Sequence, residues 1–314
     1  MTSITRPGGR SDQAPQTIGP VRALFLVYLT TLADPGDPAR SGGWIELRRL
    51  LEANDVNELR DRLLNGMDSA RHALASWATR PEDALVLLNE ITENLAGGPA
   101  MSHWRHRETV LAAVRALGDL DALVRGSEAC AWWWQDAPAE QVLTEGRGGR
   151  RPPIPLGPEG ERWGWWLTPE GPGVAVSTRG PVGSAKSVSQ VCRDGHFVSP
   201  DCPRVVPYAP PAGPVLEVRS ASDWANLVGA YPLEVNAAGD RARDWTELTS
   251  ARGPWLEPDF AAAKREWAGI HVSIGAFVDA AYCPIPVGDN FSVLVGWDPD
   301  ATVWLSDNRA LMLR

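Results

Sequence analysis

The feature that most constrains this chain is a change of hydrophobic period across a Pro-, Gly- and Arg-rich stretch, GRGGRRPPIPLGPEGE at 146–161. Before it, apolar residues recur every three to four positions, as one face of a helix requires. After it, they come in short runs bounded by turn residues, as strands require. The expected fold class is therefore α+β: an N-terminal irregular helical bundle, then a C-terminal mixed, mainly antiparallel sheet with two or more helices. The expected organisation is a disordered tail over 1–19, a helical domain over 20–145, a linker over 146–161 and an α+β domain over 162–314.

In the first half, Pro20 opens a helix to about Ala33, with Val21, Leu24, Phe25, Tyr28, Leu29 and Leu32 at helical spacing. Leu26 and Val27 make it apolar all round, which puts it at the centre of a bundle. Further helices are expected from Trp44 to Ala53, from Asn54-Asp55 to Trp77, and from Pro81 to Leu95. Two more run from Ser102 to Leu117 and up to Trp132-Trp133-Trp134.

In the second half, strands are expected at Trp163–Leu167, Gly173–Thr178, Ser187–Cys192, Val215–Arg219, Ile270–Ile274, Phe291–Trp297 and Thr302–Leu305. Asp298-Pro299-Asp300-Ala301 reads as a type I turn with Pro second, joining the last two runs in a hairpin. Ser220-x-x-Asp223 opens a helix in capping-box fashion and Pro232 stops it. Pro258-Asp259 opens another, with Gly269 in the C-cap place.

The formal charge of −9 is spread over both halves and disfavours nucleic acid, whose binding needs clustered Lys and Arg. Scarce Lys beside abundant Ala, Gly and Pro is the mark of a high-GC bacterial genome. The start lacks an apolar signal region, and Val21–Leu32 is too short to span a bilayer, so no membrane partner and a cytoplasmic location are expected. Four Cys do not make a disulfide scaffold. The 15 Trp are unusual beside 5 Phe and 4 Tyr. They either fill cores poor in other aromatics or line a groove for a planar ligand.

The segment WLEPDFAAAKREWAGIHVSIGAFVD, 255–279, combines the most varied polar chemistry. On a strand at 270–274, Ile270, Val272 and Ile274 share one face while His271 and Ser273 share the other. His271 suits acid–base work because an unperturbed imidazole titrates near pH 6.5. His271, Ser273 and Asp279 are the candidate catalytic residues. Trp255, Asp259, Trp267, Arg219 and Trp224 are the candidate ligand-binding residues, since carboxylates beside flat rings suit sugars and nucleobases. Asp at a helix N-cap, as at Asp223, serves structure alone equally well.

No metal is expected. Cys192, His196 and Cys202, with Cys283, offer metal-capable types at a spacing that matches no common zinc module. His103 and His106, flanked by Arg105 and Arg107, read as a solvated or interdomain face. Gly180–Ser187 lacks the strand and helix that a phosphate loop needs. No pattern specifies a cofactor.

A strand-rich second half with aromatics, and Ser177-Thr178 at a strand end, faintly resembles the ADP-ribosyltransferase fold. That resemblance implies a dinucleotide-gripping role for Arg219, although the family's E-x-E or Q-x-E is absent. Two broader classes stay open. One is a small-molecule site for a nucleotide-, sugar- or amino-acid-like ligand, with or without enzymatic use of His271. The other is an acidic module that docks a basic protein partner, as a toxin-neutralising or regulatory protein does.

Overall fold

The computed structural model describes residues 18–32, 40–96, 103–144, 167, 174–192 and 205–305. The expected tail, apart from its last two residues, and the linker at 146–161 lie outside these, as do His196 and Cys202. The fold is α+β. Among the described residues no helix is long and apolar enough to cross a membrane.

The first half is helical: α1 (Pro20–Leu32), α2 (Arg40–Ala53), α3 (Val56–Asn65), α4 (Met67–Trp77), α5 (Glu82–Ala96), α6 (Arg107–Val114) and α7 (Gly118–Gly126), with short 3-10 turns at His103–His106, Arg115–Leu117 and Ala131–Trp134. The all-round apolar α1 is central, as its pattern requires. Val21, Leu24, Val27, Tyr28 and Leu29 are fully buried, and the helix packs against α2 to α6.

The single helix expected from Asn54-Asp55 to Trp77 is instead two. Asp55 does cap the first, accepting from Asn57 and Glu58 amides. Gly66 then separates α3 from α4 because it lies against the backbone of α1. A Cβ there would come 2.1 Å from the Thr30 carbonyl oxygen. Close approach to α1, which the sequence alone does not display, selected the glycine.

The second half contributes β1 (Gln141–Thr144), β2 (Ala175–Arg179), α8 (Val188–Val191), β3 (Val205–Tyr208), β4 (Val215–Val218), α9 (Ala221–Ala230), β5 (Pro232–Glu234), α10 (Asp240–Thr249), β6 (Leu256–Pro258), α11 (Phe260–Ala263), β7 (Gly269–Val272), α12 (Ile274–Ala280), β8 (Ile285–Val287), β9 (Asn290–Ser292) and β10 (Ala301–Trp304). Six strands form one sheet in the order β3-β1-β2-β10-β7-β4. Only β4 and β7 pair in parallel. Residues 141–144, read from sequence as the end of the helical half, supply β1 of this sheet.

Several local expectations are corrected. Ser187 caps a short helix where a strand over Ser187–Cys192 was expected, its hydroxyl accepting from the Gln190 amide. The expected hairpin does not form: β10 pairs with β2 and β7, while β9 pairs with β8. The turn between is present, closed by Ala301 N–H donating to Asp298 O at 3.1 Å. Its third residue, Asp300, has φ +60°, which a type I turn does not allow. Gly269 begins β7 and does not cap a helix; a Cβ there would meet the Trp304 ring at 2.9 Å.

One face of the sheet, bearing Val176, Val218, Ile270, Val272 and Val303, belongs to the main core that α1 also enters. Helix α12 joins that core, with Gly275 so close to Trp134 that a Cβ would sit 2.2 Å from its ring. The opposite face carries the polar residues described next.

Candidate functional site

Period-two alternation fixes what the second face displays. The register aligns Glu217 of β4 with His271 of β7, His271 with Thr302 of β10, and Thr302 with Ser177 of β2. Four polar side chains therefore form one transverse row across four adjacent strands. Trp304 lies two residues from Thr302 on β10, and Arg179 two from Ser177 on β2, so both share this face, while Asp300, in the turn before β10, reaches it through its contacts with Arg179 and His271. Below the row the face turns apolar, with Trp304, Tyr208 and Ala175 packed together against Leu143, Val215 and Ala268.

His271 is completely buried, between two carboxylates. Its Nδ1 lies 2.6 Å from Glu217 Oε2, a short charge-assisted contact. Its Nε2 lies 3.5 Å from Asp300 Oδ1, a long ion-pair contact that does not close into a well-formed hydrogen bond. Burial alone would drive the imidazole pKa down. The carboxylates of Asp300 and Glu217 outweigh it and push the pKa up to about 9. At neutral pH His271 is an imidazolium, with a proton on each ring nitrogen.

Asp300 serves two cations. Its Oδ2 accepts from the Arg179 backbone N–H at 2.9 Å, and its Oδ1 lies 3.4 Å from Arg179 Nη2. Holding an L-residue at φ +60° costs energy, and such positions persist where surrounding contacts fix them. The Ser177 end of the row is bonded differently: Trp304 Nε1 donates to Ser177 Oγ at 2.7 Å, and Ser177 Oγ donates to Gln141 Oε1 at 2.5 Å.

Residues 135–138, between the Trp132–Trp134 turn and β1, cross the rim of the row. Asp136 Oδ1 accepts from Arg219 Nε at 2.5 Å, and the Asp136 carbonyl accepts from Arg179 Nη2 at 3.3 Å. The Ala137 N–H donates to Glu217 Oε1 at 3.2 Å. The Arg179 guanidinium stacks over the Trp132 ring, 5.2 Å from its centroid. The Arg219 guanidinium holds the Asp136 carboxyl below its ordinary range, with His271 adding to the effect. Glu217 and Arg179 keep 15% and 18% side-chain exposure at this rim, while His271, Thr302 and Asp300 are buried beneath it.

Of the residues expected at a site, His271 and Arg219 meet here. The rest do not. Ser273 lies one residue beyond β7 and caps α12, accepting from the Ala276 N–H at 3.1 Å, so it never shares a face with His271. Asp259 caps α11 in the same way. Asp279 ion-pairs with Arg125 at 2.7 Å and lies 3.7 Å from Arg22, joining α12 to α7 and α1. Trp224 is fully buried, donating to Ser292 Oγ. Trp255 packs edge-on against Trp245 and is 3% exposed. Trp267 donates to the Tyr231 hydroxyl. These indoles fill core; they do not wall a hollow around His271.

The residues that sequence reading missed are Glu217, Asp300, Arg179, Thr302 and Trp304. A Glu inside the otherwise apolar run VLEV, and a Thr inside TVW, were the available signals. Among the described residues no group of three or more His, Cys, Asp or Glu could hold a metal. Comparison with family models, with curated proteins and with solved structures finds no match for this chain.

Proposed function

We propose that the polar sheet face binds a small, acceptor-rich molecule and that His271 serves there as a proton or hydrogen-bond donor. One observation carries this reading. Buried polar atoms on this face are left short of hydrogen bonds: Thr302 Oγ1 and Arg179 Nε make none, and His271 Nε2 has only its long ion-pair contact with Asp300. Each such group costs about 1–3 kcal/mol when left unmade, so a cluster of them marks a place kept for something other than stability. An imidazolium and a guanidinium are donors only, which selects a ligand rich in carbonyl, hydroxyl or ring-nitrogen acceptors.

The charges around the row balance: His271, Arg179 and Arg219 against Glu217, Asp300 and Asp136. A net anion therefore gains no preference, and a neutral or zwitterionic sugar-, nucleobase- or amino-acid-like molecule fits best. With its pKa raised to about 9, His271 holds its proton at neutral pH and acts as an acid, not as a base. Glu217 on Nδ1 fixes the ring so that Nε2 is the donating atom.

The alternative, an acidic docking module for a basic protein, draws on the charge of −9. Such an interface needs aromatic anchors at its surface. Among the described residues the exposed large apolar side chains are Leu64 and Leu123, with no aromatic between them. The small-molecule reading is the better supported.

A thermal-shift screen with uncharged sugars, nucleosides and amino-acid derivatives tests it, because a ligand held only by the folded chain raises the melting temperature. Thr302→Val supplies the control. It removes a hydroxyl without a partner and keeps the β-branched shape, so the free protein should be as stable as before or about 1 kcal/mol more stable. The ligand-induced shift should fall away. A variant that is clearly destabilised yet keeps the shift would show that Thr302 serves the fold.

A further inference from the structure

The geometry points to a second binding site, in the cleft between the helical bundle and α10, that takes a compact phosphate-bearing aromatic molecule of mononucleotide size. The cleft encloses about 660 Å³ and is lined by Trp104, Arg105, His106 and Arg107 on one side, with Asn54 and Ser250 among the others. That volume lies within the ~300–1,000 Å³ usual for small-molecule pockets. It is remote in sequence and in fold from the polar sheet face, and nothing in the reading of that face depends on it.

The lining has the composition that a phosphate on an aromatic ring requires. Two guanidiniums stand one residue apart, each with five donors in a planar fork. Arg105 uses one donor on His106 Nε2, at 2.8 Å, and another on Glu52, at 3.2 Å. Arg107 uses one on the Ser250 hydroxyl and a long contact of 3.4 Å on Glu108. Both side chains remain over 40% exposed, at 44% and 41%, so donors are left over in both forks. Glu108 is itself 86% exposed and is the one carboxylate among the lining residues. In a chain of net charge −9, two arginines on one wall of a concavity make a local exception. The Trp104 indole supplies a flat surface beside them.

Among the described residues four non-glycine residues adopt left-handed φ, and two of them, Asn54 at 54° and Ser250 at 60°, lie on this cleft. Each directly follows the last residue of a helix, Ala53 of α2 and Thr249 of α10, where a left-handed C-cap is common. Ser250 holds the Arg107 guanidinium, and Asn54 accepts from the Thr109 hydroxyl, so the two helix ends shape the wall.

Isothermal titration of the full chain with AMP, adenosine and inorganic phosphate, at low and at physiological salt, tests the assignment. AMP should bind at least tenfold more tightly than either fragment and weaken as salt rises. Arg105→Gln/Arg107→Gln should weaken AMP at least tenfold while leaving the melting temperature of the free protein unchanged, because both side chains are exposed. His106 gives a second readout. Its pKa is lowered by burial and by the Arg105 guanidinium, and a bound phosphate should raise it in an NMR titration. Thr302→Val should bind AMP as the native chain does. Equal AMP affinity in the double Arg variant, loss of AMP binding in Thr302→Val, or no heat with AMP at millimolar concentration would each overturn the proposal.

Discussion

Asp300→Ala should destabilise the protein by about 3–5 kcal/mol, the cost of removing one partner from a buried charge cluster. The carboxylate is 2% exposed and serves the Arg179 backbone N–H, the Arg179 guanidinium and the His271 ring together. Its loss leaves two cations with the single adjacent counter-charge of Glu217, at the rim. The backbone conformation matters as well. Alanine at φ +60° is strained, whereas asparagine tolerates the left-handed region. Asp300→Asn also keeps an oxygen for the Arg179 N–H, so it should cost clearly less than Asp300→Ala. Urea unfolding of the two variants gives the comparison. Equal losses would mean that neither the acceptor oxygen nor the left-handed backbone contributes.

The second large effect is on the pH dependence of stability. His271 titrates near 6.5 in an unfolded chain and near 9 in the folded one. A group whose pKa rises on folding stabilises the fold fully below the unfolded value, and that contribution disappears as pH climbs through the folded value. Stability should therefore fall between about pH 6.5 and pH 9 by on the order of 3 kcal/mol. The groups facing the imidazole are Glu217 on β4, Asp300 before β10, Arg179 on β2 and Asp136 at the rim. The thiols of Cys130 and Cys283 do not interfere, since desolvation pushes both up to about 12. Urea midpoints from pH 6 to pH 10 measure the fall. His271→Gln, although less stable, should flatten the curve in that window, and an unchanged slope in the variant would assign the effect elsewhere.

Local signals in the sequence carried the architecture further than the site. The apolar surround of α1, the Asp55 and Ser220 caps and the shift from period 3.6 to period 2 were all readable, because each depends on neighbours within a turn or a strand. The division of α3 from α4 was not, because Gly66 answers to Thr30 on another helix. The site failed for a related reason. His271 was correctly placed on the polar face of its strand, but its neighbours on β4 and β10 are set by strand order, which no short motif encodes. Ser273 was assigned to that face by extending β7 one residue too far, into the cap of α12. The Trp residues were legible as a number and not as a location: among the described residues Trp77, Trp133, Trp224, Trp245, Trp255, Trp297 and Trp304 are buried, in a chain with only 5 Phe and 4 Tyr.

The central claim is that the polar row receives a ligand through His271 Nε2. Imidazole 15N NMR on the folded chain, with and without a ligand that raises the melting temperature, reads this atom directly. Both ring nitrogens should appear protonated at neutral pH, and the Nε2 resonance should move on saturation while Nδ1, held by Glu217, moves little. A neutral ring, or an Nε2 signal unchanged in the saturated protein, would contradict it.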